Sequence, residues 1–116
     1  MTQEEIDKEY NRVIAIDYTE ADFKDVLNKK GYVHRLISNG CKQIKEKISH
    51  IDKLYTILEN NKFNVNNKLV KVALGVLVYV ISPIDIVPDV IPVLGLVDDA
   101  CMIAKAFSEC PELLNL

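Results

Sequence analysis

The sequence predicts an all-α fold: a compact, single-domain helical bundle of four to six helices with a Pro/Asp-rich helical hairpin in its C-terminal half. Three observations carry that expectation. Apolar residues recur in steps of four and three between residues 33 and 58, the period of a helix face and not of a strand. Two threonines stand at the head of stretches with helix-capping signals. Glycine and proline number only four each and tryptophan is absent, which disfavours the many tight turns of a β-sandwich. With 116 residues, 49% hydrophobic and 27% charged, the chain has enough material for one core but not two.

Taken in order, Thr2 is placed to cap a first helix, with Gln3, Glu4 and Glu5 in the first turn, where carboxylates complement the helix dipole. Ile6, Tyr10, Val13 and Ile14 form its apolar face. Thr19 and Asp22 form the next capping pair, with Asp standing in for the usual Glu, and Tyr18 and Phe23 have the spacing of a hydrophobic staple. Gly31 is the expected stop of that helix. Ile37, Cys41, Ile44, Ile48, Ile51, Tyr55 and Leu58 then make a heptad seam, with Lys42, Lys45, Glu46, Lys47 and Lys53 on the solvated side. Asn39-Gly40 is the expected site of a bend. The seam is read first as intramolecular packing, with a homodimer through residues 37–58 as the other use of such a stripe.

Composition changes near residue 64. Residues 1–63 read as an amphipathic helical cover and residues 64–110 as an apolar hairpin, with no Gly/Ser-rich linker between them, so 1–116 is one domain. Asn60 to Asn67 is a turn cluster. A helix apolar on nearly all sides is expected from about Val65 to Ile81, central in a core or touching lipid. Beyond it, "ISPIDIVPDVIPVLGLVDD" carries Asp85, Asp89, Asp98 and Asp99 among three prolines. Ser82-Pro83 reads as a fresh helix start, Pro88-Asp89 as a second, and Asp98 or Asp99 as the opening of a last helix through about Phe107. In that reading the aspartates satisfy amides left over at successive helix starts, where an unpaired buried N–H costs about 1–3 kcal/mol.

The pattern Lys71, Tyr79, Ser82, Pro83, Asp85, Pro88, Asp89, Pro92, Gly95, Asp98 and Asp99 closely resembles the YkvA-like family, a family of unknown function, over roughly residues 65–107. The resemblance implies a helical domain, often membrane-associated, and transfers no catalytic residue.

The function classes are bounded by what the residues offer. A net charge of −3 with mixed signs lacks the clustered basic face of a nucleic-acid binder. Cys41, Cys101 and Cys110 are odd in number and without C-x-x-C spacing, so neither a disulfide framework nor a zinc site follows, and a reducing cytoplasm is the simpler setting. The acidic start has no apolar segment of the signal-peptide kind. No nucleophile elbow, phosphate loop or zinc helix motif is present, so no catalytic residue, resident metal or cofactor is assigned. His34 and His50 read as surface histidines. Lys71 is expected to pair with Asp98 or Asp99 inside the hairpin, near Gly75.

The leading expectation is a non-catalytic protein-interaction module of the cytoplasm, in one form an immunity or antitoxin-type inhibitor. Its acidic helices, with Glu4, Glu5, Asp7, Glu9, Asp17, Glu20, Asp22 and Asp25, would face a basic partner protein. The first alternative is a membrane-peripheral helical protein, since the uncharged run from Lys71 to Asp85 is short of the ~20 residues of a spanning helix. The second is a divalent-metal-binding protein using the aspartate cluster, whose oxygen ligands suit Mg²⁺ or Ca²⁺.

Overall fold

The computed structural model describes residues 2–40, 42–64, 66–86 and 92–115, without the side chains of 82–86 and 92–98. α1 (Gln3–Ile14) begins where Thr2 offers its hydroxyl oxygen to the Glu5 amide at 3.2 Å. The Glu5 carboxylate in turn accepts the Thr2 amide at 3.4 Å. α2 (Glu20–Asn28) repeats the device, with Thr19 accepting the Asp22 amide at 3.2 Å and Asp22 the Thr19 amide at 2.9 Å. The shorter acid does the work of Glu. Tyr18 and Phe23, the staple pair, are both buried.

Gly31 does not stop α2. The helix breaks two residues earlier, at Lys29 (φ −92°, ψ 6°), whose amide reaches back to the Asp25 and Val26 carbonyls. α3 (Lys30–Ser38) starts at once and contains Gly31, which has no positive φ. Nothing at Gly31 therefore needs the freedom of glycine.

The periodic stretch from 33 to 58 is three helices, α3, the single-turn α4 (Lys42–Lys45) and α5 (Ile48–Asn60). The bend expected at Asn39-Gly40 is a full break, closed by Gly40 donating to the Ile37 carbonyl at 3.2 Å. The apolar period survives because each piece turns its stripe inward. Ile37, Ile44, Ile51, Tyr55 and Leu58 are buried and Ile48 is partly so, while Cys41 lies outside the described residues. The seam thus packs into the chain's own core. Each such burial is worth about 1.5–3 kcal/mol.

α6 (Lys68–Ile86) starts at a cap made by Asn67, whose Oδ1 accepts the Leu69 and Val70 amides at 3.0 and 3.2 Å. It lies centrally, packed by α5, by α1 and α2, and by α7 (Pro92–Glu109). Val72, Ala73, Leu74, Val76, Leu77 and Val80 are all buried, as a helix apolar on every side requires. A 3-10 helix, Pro111–Asn115, closes the described chain against α7 and α5. One core runs from Tyr10 to Leu113 through both the polar and the apolar halves. The described residues form seven α-helices and no strand, so the all-α class holds, and the division of the seam supplies the extra helix.

Two expectations about the hairpin are corrected. Ser82-Pro83 does not open a helix, because α6 continues to Ile86. Pro83 has no amide to give the Tyr79 carbonyl, a cost of up to about 3 kcal/mol in a helix interior, and the well-packed turns before it carry the helix through. Asp98 and Asp99 do not cap α7, which begins at Pro92, about two turns earlier. Proline fits that first position because no intrahelical acceptor is waiting for its amide. Gly95 falls inside α7, and Pro88 and Asp89 lie outside the described residues.

Candidate functional site

The motif residues fall into separate surroundings. Asp99 is 1% exposed within α7, and Tyr79 packs partly buried against the core. The side chains of Ser82, Pro83, Asp85, Pro92, Gly95 and Asp98 lie outside the described residues. Lys71 is elsewhere. It lines a cavity of about 220 Å³ together with Ile16, Asp17, Tyr18, Phe63, Asn64, Asn66, Val70 and Leu74.

Three stretches distant in sequence build this cavity: the connection between α1 and α2, the asparagine-rich connection between α5 and α6, and the first turns of α6. The first is held by Tyr18, whose hydroxyl donates to the Val13 carbonyl at 2.8 Å. Burial, with Asp22 in support and Arg12 opposing, raises that phenol to about 12, so it stays a donor at any neutral pH. Gly75 lets this arrangement sit against α6. A Cβ there would lie 3.3 Å from Val13 Cγ1, 3.3 Å from the Val13 carbonyl oxygen and 3.5 Å from the Tyr18 hydroxyl. The second connection is ordered by Asn64, whose Oδ1 accepts the Asn66 amide at 2.9 Å.

Gly75, one turn along from Lys71, faces α1 and Tyr18. Of the hairpin ion pair expected of Lys71, the Asp98 side chain lies outside the described residues, and no ion pair joins Lys71 to Asp99. Among the described residues Lys71 has no ion-pair partner, and neither has Asp17 across the cavity. The two do not come within 4.0 Å of each other.

The acidic residues proposed as a partner face are largely on the surface but not idle. Glu5 and Asp22 complete capping boxes. Asp7 meets Lys105 of α7 at 3.0 Å, and Lys105, then Gln3, hold its carboxyl below the usual range. Glu9 pairs with Arg12, which likewise lowers it. Glu20 lies 3.9 Å from Lys24 and Asp25 3.2 Å from Lys29. Glu4 and Asp17 are exposed and without such partners among the described residues.

Opposite in charge is the middle of the chain. Residues 29–53 hold Lys29, Lys30, Arg35, Lys42, Lys45, Lys47 and Lys53 against only Glu46 and Asp52. Asp52 is engaged by His34 at 2.5 Å. Next to these lysines His50 stacks edge-on to Phe107, with ring centroids 4.3 Å apart. Burial, then Lys47 and Lys53, depress its imidazole below the ordinary value. Cys110 is fully buried, and burial raises its thiol. Among the described residues no three His, Cys, Asp or Glu side chains are grouped to hold a metal, and no helix is long and apolar enough to cross a membrane.

Sequence reasoning singled out Lys71 and Asp17 for unrelated reasons and did not join them. Ile16, Phe63, Asn64 and Asn66 carry no motif, and no local signal marks a cavity assembled from three separate segments. No match was found among curated proteins or among solved structures. The family model of DUF1232, described as a protein of unknown function, matches residues 70–104, a span that holds every motif position from Lys71 to Asp99 and agrees with the YkvA-like resemblance. Over those residues, under a third of the chain, it is similar to the DUF1232 family.

Proposed function

We propose that the protein is a non-catalytic interaction module that recognises a partner protein by charge complementarity. The observation behind this reading is the segregation of charge over the helical cover. Residues 2–25 hold eight carboxylates against Lys8, Arg12 and Lys24, while residues 29–53 reverse the balance with seven cations against two acids. The local ion pairs of the acidic helices are solvent-exposed, and such pairs are worth about 0–1 kcal/mol, so a basic partner displaces them at little cost. Fields of this kind steer encounter and reject like-charged surfaces. An immunity or antitoxin-type inhibitor facing a basic protein is one form such a module takes.

The test is affinity capture with the wild-type chain and with a folded Glu4→Lys/Glu20→Lys/Asp25→Lys variant. A basic protein retained at low salt by the wild type, and lost by the variant, is the expected outcome. Equal retention by both, or no retained protein, refutes the reading.

A membrane-peripheral role is the second reading, favoured by the lysines on and beside α4, of which Lys42 and Lys45 are exposed. These are the residues that would meet anionic headgroups. Co-sedimentation with anionic liposomes that Lys42→Glu/Lys45→Glu abolishes supports it, and a protein that stays in the supernatant excludes it. The divalent-metal reading rests on an aspartate cluster of which the side chains of Asp85, Asp89 and Asp98 lie outside the described residues.

A further inference from the structure

We infer that the cavity between the α1–α2 connection and the start of α6 binds a small zwitterion of amino-acid size with an apolar side chain. The inference is independent of the charge-guided partner reading above.

Lys71 and Asp17 carry it. Both line the same 220 Å³ space, and each is without an ion-pair partner among the described residues. They also stay more than 4.0 Å apart. Lys71 is half-buried and Asp17 exposed, so the same space presents an ammonium and a carboxylate that are not engaged with each other. An anion alone would satisfy Lys71 and be repelled by Asp17, and a cation alone would do the reverse. A dipolar ion meets both, its carboxylate on the ammonium and its ammonium on the carboxylate, in the charge-assisted contacts that are the strong ones. Asn64 has its Oδ1 engaged by the Asn66 amide, so what it has left to give is its side-chain N–H pair, a further donor for a carboxylate.

The rest of the lining sets the ligand's body. Ile16 is 39% exposed, one of the few large hydrophobic residues so placed, and it shares the cavity with the partly buried Phe63. An apolar substituent laid against them removes both from water. Drug-sized ligands occupy sites of about 300–1,000 Å³. A space of about 220 Å³ suits something smaller.

A ¹⁵N NMR titration of the whole chain tests this, with L-leucine and L-phenylalanine as probes and N-acetyl-L-leucine and L-leucinamide as controls lacking one charge each. At least one of the two amino acids is expected to shift the backbone amides of Asp17, Asn64 and Lys71, with each control at least tenfold weaker. In Asp17→Asn, a loop substitution with no bond to break, the advantage of the free amino acid over its N-acetyl form disappears. No shift at these amides with either amino acid up to about 10 mM, weaker than a millimolar site would require, overturns the inference. So does binding of both controls as well as of the parent, or a shift pattern that maps to another face.

Discussion

Gly75 is the point at which α1 and the cavity wall touch the central helix, and a double-mutant cycle through it measures that contact. Alanine in place of glycine inside a helix gains about 1 kcal/mol from backbone propensity. Against this, the added carbon would lie 3.3 Å from Val13 Cγ1, inside the ~3.5–4.0 Å optimum for carbon pairs. Val13 is 3% exposed and has little room to retreat, and overpacking of this kind costs about 1–3 kcal/mol. Gly75→Ala in the wild-type background is therefore neutral to destabilising by about 2 kcal/mol. Val13→Ala alone costs about 2 kcal/mol for the two lost methyl groups. It also removes the crowding atom. What then remains near the new methyl is the Tyr18 hydroxyl at 3.5 Å, an ordinary contact, and the Val13 carbonyl oxygen at 3.3 Å, which is still tight. In that background Gly75→Ala becomes neutral to stabilising by about 1 kcal/mol, so the two sites couple by about 1–2 kcal/mol. Urea unfolding of the four proteins, followed by circular dichroism at constant m-value, gives the coupling directly. If Gly75→Ala has the same effect in both backgrounds within ~0.5 kcal/mol, the range expected of independent sites, the close approach of α1 to α6 is refuted.

Two further outcomes follow from the same structure. Lys71→Met leaves the melting temperature unchanged or raises it, because the lysine holds no ion pair among the described residues and sits half-buried on an apolar helix; a loss of several degrees on thermal melting would restore the hairpin ion pair that the sequence suggested. For His50, the folded pKa lies below its ordinary value of 6.5, so between the two the unfolded chain binds more protons and stability rises with pH. The contribution of neutral His50 is whole above about pH 6.5 and drains away as pH falls from there towards the folded value. Melting temperatures from pH 7.5 down to 5 should fall more steeply for the wild type than for His50→Gln, and parallel curves would show that the imidazole is not responsible.

What was legible in the sequence is what depends on neighbours a few residues away. Thr2 with Glu5 and Thr19 with Asp22 fix two helix starts by bonds that span three residues, and the side chains that make them are chosen for nothing else. The inward stripe of Ile37, Ile44, Ile51, Tyr55 and Leu58 was legible too, although the single helix it suggested was not there. Period alone does not distinguish one helix from three when each break preserves the phase of the stripe. Lys29 shows the opposite failure. A helix ended at a residue with no breaking tendency, two before a glycine that has one, because α3 had to leave in the direction that buries Val33 and Ile37. The hairpin was misjudged for a related reason. Ser-Pro and Asp were read by their local preferences, whereas the apolar surface of α6 and α7 gains more from long helices than the cap signals offer at their starts. The cavity was not legible at all, since its walls come from residues 16–18, 63–66 and 70–74 and only folding brings them together.

The arrangement also separates two things the motif joins in one line. On α6, Lys71 and Asp85 are fourteen residues apart, about 21 Å along the axis at 1.5 Å per residue. No small ligand or single ion spans that length, so the lysine and the aspartate do not belong to one site. Lys71 lies at the end of α6 that opens on the α5–α6 connection, and Asp85 at the opposite end. Lys71 is half-buried on the most apolar helix and has no ion-pair partner among the described residues. The two ends of α6 are therefore separate places, and the one at Lys71 is the cavity that Asp17 also lines.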